Sequence, residues 1–108
     1  MGYRSEVGFA CTDEVNNLLK AVAETDAEFK KFLGEGDGSH DSRYIWQDIK
    51  YYDGYAPVDC LNNIMDFLGL TGLDEEYGFL RIGEELEDIE QKGAPYEFHM
   101  HVNRNIEI

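Results

Sequence analysis

The period of the apolar residues changes at Thr12, and this change constrains the fold more than any other feature of the chain. In YRSEVGFACT (residues 3–12), Tyr3, Ser5, Val7, Phe9 and Cys11 alternate with Arg4, Glu6, Gly8 and Ala10, the two-residue period of a strand. In DEVNNLLKAVAE (residues 13–24) the apolar Val15, Leu18, Leu19 and Val22 recur at helical spacing, and Thr12 is placed to cap that helix. Thr25 with Glu28 reads as a capping box that restarts or kinks the helix toward Phe29, Phe32 and Leu33.

The same two periods order the rest of the chain. GEGDGSHD (residues 34–41) has three glycines and no apolar residue, and is expected to be a loop. RYIWQDIKYY (residues 43–52) is a second strand, with Ile45, Ile49 and Tyr51 on one face and Tyr44, Trp46, Asp48, Lys50 and Tyr52 on the other. A core-facing helix starts near Pro57, carries Val58, Leu61, Ile64, Met65 and Leu68, and stops at Gly69. After LTGLDEE as a loop, YGFLRIG (residues 77–83) is a third strand, and the segment behind it suits a hairpin partner better than a helical turn. EFHMHVNRNIEI (residues 97–108) alternates throughout and reads as one last strand. The expected fold is α+β: a mainly antiparallel sheet of four or five strands with two helices packed on one face, in a single domain of residues 1–108.

Charge narrows the function. The formal net charge is −14, and residues 74–90 hold eight acidic side chains against Arg81 alone, so half of the total sits in one segment. Such a balance argues against direct nucleic-acid binding and against an anionic membrane, both of which draw on clustered Lys and Arg. No run reaches the roughly 20 apolar residues that cross a bilayer, and the start lacks the pattern of a secretory signal, so a cytoplasmic protein is expected. Cys11 and Cys60 form no paired motif and read as free thiols.

Catalytic patterns are weak. Acid–base catalysis needs two carboxylates held in different environments, and the acidic cluster lacks the apolar neighbours to raise one of them. His99 and His101 share one side of the last strand, but a metal site needs three or four converging ligands; neither a metal nor another cofactor is expected. The glycines around Asp37 would present a carboxylate to any phosphate. Tyr44, Trp46, Tyr51, Tyr52 and Tyr55 crowd into twelve residues, and Tyr and Trp are favoured at protein interfaces; covering one face of the sheet accounts for them equally well.

The opening GYRSEV, the strand YIWQDIKYY and the segment FLRIGEELEDIE together resemble a group of small bacteriophage-encoded accessory proteins that open with a GYRSDV-like motif. The resemblance runs over most of the chain and carries no catalytic residue. It implies phage origin, the host cytoplasm, and action by binding a host or defence protein. The expected function is therefore non-enzymatic. A basic partner surface, such as that of a nucleic-acid-binding protein, meets Asp74, Glu75, Glu76, Glu84, Glu85, Glu87, Asp88 and Glu90, with Tyr44, Trp46 and Tyr52 as anchors. A nucleic-acid mimic would recruit Asp13, Glu14, Asp59 and Asp66 as well. The alternative is a small-ligand binder that meets a nucleotide through Arg4, Arg43, Arg81 or Arg104. Either reading is compatible with a homodimer.

Overall fold

The computed structural model describes residues 5–36, 42–49, 51, 54–83, 88–98, 101–103 and 105–107. Its centre is β1 (Ser5–Cys11), flanked antiparallel by β2 (Arg43–Ile49) and β3 (Tyr77–Ile82); β4 (Ile89–Gly93) pairs antiparallel with β3, giving the order β2-β1-β3-β4. The chain is thus α+β with an antiparallel four-stranded sheet, and the Ile82–Ile89 pairing makes the acidic segment part of a hairpin.

The described residues form three α-helices. α1 (Asp13–Thr25) begins as expected at Thr12, whose hydroxyl accepts the Val15 N–H. α2 (Ala27–Glu35) is a separate helix, and its cap is Asp26, not Thr25: one Asp26 carboxylate oxygen accepts the N–H groups of Glu28 and Phe29. The Thr25 hydroxyl instead donates back to the Val22 carbonyl. The helix continues through Gly34, past the start expected for the loop. α3 (Ala56–Leu70) carries Pro57 in its first turn, where the missing N–H costs nothing, and runs one residue beyond Gly69. The expected loop after it contains a 3-10 turn, Asp74–Glu76.

Alternation along β1 divides two layers. Val7, Phe9 and Cys11 face α1, α2 and α3 in a core with Leu19, Phe29, Leu61, Leu68 and Phe79. On the opposite face Ala10 and Leu80 are buried under Phe98. That cover comes from the end of the chain, where the single strand expected over residues 97–108 is replaced by three elements. Gly93 (φ 70) abuts the Tyr77 carbonyl so closely that a Cβ would collide with it. A 3-10 turn, Pro95–Phe98, then leads to β5 (His101–Asn103), which reverses into β6 (Asn105–Glu107) with Val102 opposite Ile106. Period two does not distinguish one strand from two folded together, and the Asn residues beside the reversal suit a turn.

β2 also departs from simple alternation. Val7 pairs with Trp46 while Ser5 pairs with Ile49, so three residue steps on β2 oppose two on β1. This bulge turns Ile49 onto the same face as Trp46, in place of the opposite faces expected.

Candidate functional site

The acidic segment divides into an internally paired part and an open part. On β3, the Arg81 guanidinium is held by β4 and the residue before it: Nη2 donates to Asp88 Oδ1 at 2.8 Å, Nε to Glu90 Oε1 at 3.0 Å and Nη1 to Ser5 Oγ at 3.2 Å. Burial disfavours this cation, but the hydrogen bonds and charges of Asp88 and Glu90 outweigh it and raise its pKa. Glu90 also lies 3.9 Å from the Lys92 ammonium, which sits over the Phe79 ring. Two of the carboxylates expected to face a partner are therefore engaged in the hairpin. Arg81, expected in the alternative to meet a nucleotide, has its donors committed to carboxylates, and Arg43 donates to the Phe98 carbonyl at 3.1 Å. Glu84, Glu85, Glu87, Tyr52, Arg4, Arg104 and His99 lie outside the described residues, and His101 lies in β5. Among the described residues no group of three His, Cys, Asp or Glu is placed to hold a metal ion.

The open part is the 3-10 turn behind α3. Asp74 and Glu75 are exposed and Glu76 half-buried, the last accepting from the Thr12 hydroxyl at 3.5 Å. Burial raises the pKa of the Tyr77 phenol, and the charges of Asp74 and Asp66 raise it further. Among the described residues no ion pair engages Asp66, Asp74 or Glu75.

Of the side chains expected as aromatic anchors, Trp46 and Tyr44 lie among the described residues. Trp46 is 2% exposed, its ring stacked on Phe32 at 4.4 Å and on Tyr44 at 5.7 Å. It fills the helix-facing core and is not presented to a partner. Tyr44 is half-buried, with its hydroxyl 2.6 Å from Asn16 Oδ1. Among the described residues the large apolar side chains that reach solvent are Tyr55, Ile89 and Tyr96, which lie apart in the chain, and Phe67 (53% exposed), Leu70 (88%) and Leu73 (38%), which gather at the end of α3 and in the turn that leads to Asp74. The sequence held a signal for them: Phe67 and Leu70, three apart, fall off the Leu61–Leu68 stripe that identifies the buried face.

Phe67 also closes one end of an open groove of about 640 Å³ between α1 and α3, lined by Leu18, Val22, Ala56, Cys60 and Ile64, with Asp26, Asp59 and Asn63 at its polar positions. Cys11 is buried and Cys60 half-buried, both as free thiols. No family model matches the chain, and no curated protein or solved structure is similar to it.

Proposed function

We propose that this chain is a non-enzymatic binding protein, a phage accessory protein that engages a host or defence protein through the acidic surface at the end of α3. The observation that carries the reading is the exposure of Phe67, Leu70 and Leu73 at the end of α3 and in the turn behind it, adjoining in the chain the exposed carboxylates of Asp66, Asp74 and Glu75. Apolar groups left in water beside exposed carboxylates suit a partner that brings basic and apolar side chains together: charge speeds encounter and desolvated apolar contacts hold the complex. The pairing of Asp88 and Glu90 with Arg81 shifts the contact from the hairpin toward the 3-10 turn. Duplex mimicry requires carboxylates spread along an extended face at the spacing of phosphates, and a local patch opposing a basic groove fits the geometry better.

The test is capture from bacterial lysate with tagged wild-type protein and two variants, Asp74→Lys/Glu75→Lys and Leu70→Ser/Leu73→Ser, each checked for native circular dichroism. A basic protein retained by wild type and lost from both variants supports the proposal. Retention unchanged by both variants overturns it.

A further inference from the structure

We infer that the groove between α1 and α3 receives an amphipathic, basic α-helix of the partner protein, an inference that rests on the protein-binding reading and names the element bound. Shape comes first. Ala56 and Phe67 mark its ends along α3, and eleven residue steps at a rise of 1.5 Å make it roughly 16 Å long, or three turns of a docked helix. A helix lying in such a trough presents apolar side chains at i, i+3 or i+4, and i+7 to Leu18, Val22, Cys60, Ile64 and Phe67. Sites for small metabolites are concave pockets that bury most of the ligand, whereas this trough is open to solvent.

Charge selects among helices. Asp26 and Asp59 line the groove and no cation does, among the described residues. Each carboxylate is held by backbone donors through one oxygen: Asp26 Oδ1 accepts from Glu28 and Phe29, and Asp59 Oδ1 accepts from Gly54 at 3.1 Å. These bonds fix the side chains without neutralising them. The Asp26 charge reaches α3, where, after burial, it raises the pKa of the Cys60 thiol. A helix whose apolar stripe is flanked by Lys or Arg therefore meets prepositioned acceptors, and one flanked by carboxylates meets repulsion.

Three synthetic peptides of equal length test the inference by fluorescence anisotropy and by 15N amide shifts. One has a Leu stripe flanked by Lys, one the same stripe flanked by Glu, and one is a scramble of the first that abolishes the stripe. The Lys-flanked peptide is expected to bind at least about tenfold more tightly than either other, with shifts centred on Leu18, Val22, Cys60 and Phe67. Asp26→Asn/Asp59→Asn keeps side-chain acceptors at both positions, since Asn caps a helix as well as Asp; it should weaken that peptide several-fold, and Phe67→Lys should abolish binding. Equal binding of the scramble, shifts confined to Asp74 and Glu75, or no binding of the Lys-flanked peptide overturns the groove assignment. A dimer that Phe67→Lys disperses would show that a second copy fills the groove, and overturns it too. The lysate capture with turn variants decides the protein-binding reading separately, so failure of one is distinguishable from failure of the other.

Discussion

The indole N–H of Trp46 donates to the backbone carbonyl of Phe32 at 2.7 Å, while the two rings stack within 7° of parallel. One side chain of the edge strand β2 thus fixes α2 both by packing and by satisfying a buried acceptor. Trp46→Phe keeps part of the packing but leaves that carbonyl unpaired, a loss of about 1–3 kcal/mol; Trp46→Ala should cost about 3–5 kcal/mol. Gly36 crosses the same ring, and a Cβ there would stand 2.9 Å from Trp46 Cε2. Gly36→Ala is accordingly expected to lower stability by about 1–3 kcal/mol through overpacking. Urea unfolding followed by circular dichroism measures all three, and a Trp46→Ala variant as stable as wild type would remove Trp46 from the core.

A pH dependence follows from Cys11. Burial, with a smaller contribution from Asp13 and partial relief from Arg43, pushes its thiol up to about 12. The unfolded thiol ionises near pH 9, so folded and unfolded chains bind the same proton below that value and this site adds no slope there. Above it the unfolded chain releases the proton first, and stability falls as pH rises from about 9 toward 12. Tyr77, also raised, adds to the decline. Cys11→Ala should flatten the stability–pH curve over this window while leaving the Tyr77 part, and equal slopes for wild type and variant would contradict the assignment. At pH 8, the half-buried Cys60 should react with a thiol reagent well before Cys11 does.

Local signals carried much of the fold. Val7 and Phe9 alternate because β1 separates two layers, and Thr12 and Pro57 mark helix starts through chemistry that acts within one turn. What stayed illegible depended on partners distant in sequence. The bulge that puts Trp46 and Ile49 on one face is a property of the β1–β2 pairing, and alternation read from β2 alone separates them. Residues 97–108 alternate for two strands as well as for one. Asp26 rather than Thr25 caps α2, since both residues are competent caps and the choice rests on where α1 ends. The groove brings Leu18 and Val22 of α1 together with Cys60 and Phe67 of α3, a juxtaposition that no periodicity reports. The acidic segment was legible as a charge cluster, but not as two parts, because the pairing of Arg81 with Asp88 and Glu90 needs the register of β3 on β4.

That register yields a prediction of its own. With Arg81 opposite Glu90, the guanidinium neutralises two carboxylates beside a β4 that forms one edge of the sheet. Arg81→Met keeps the aliphatic stem and removes the guanidinium from Asp88 and Glu90, while the Lys92 ammonium stays 3.9 Å from Glu90. Since both carboxylates are partly solvated, the cost should be about 1–2 kcal/mol, smaller than for a fully buried pair. Amide exchange should accelerate first at residues 89–92. An Arg81→Met variant whose β4 amides exchange at the wild-type rate would show that the ion pairs contribute nothing to the hairpin.

The surface at the end of α3 predicts how a complex responds to salt. In the proposed complex Asp66, Asp74 and Glu75 would steer a basic partner through solvent, where screening shortens the reach of a charge to about 8 Å at physiological ionic strength. The exposed Phe67, Leu70 and Leu73 would act only on contact and be little affected by salt. Raising salt from low to physiological levels and beyond should therefore slow association more than it speeds dissociation, and affinity should fall with a slope that Asp74→Lys/Glu75→Lys flattens, because that variant removes the attraction that salt screens. Duplex DNA should displace the protein if the partner's basic surface is a nucleic-acid groove. Surface plasmon resonance across a salt series, repeated with competing DNA, separates the outcomes. Salt-independent binding would assign the contact to Phe67, Leu70 and Leu73 alone and leave the carboxylates as solubilising groups, whereas binding that DNA does not compete would exclude a nucleic-acid groove as the partner surface.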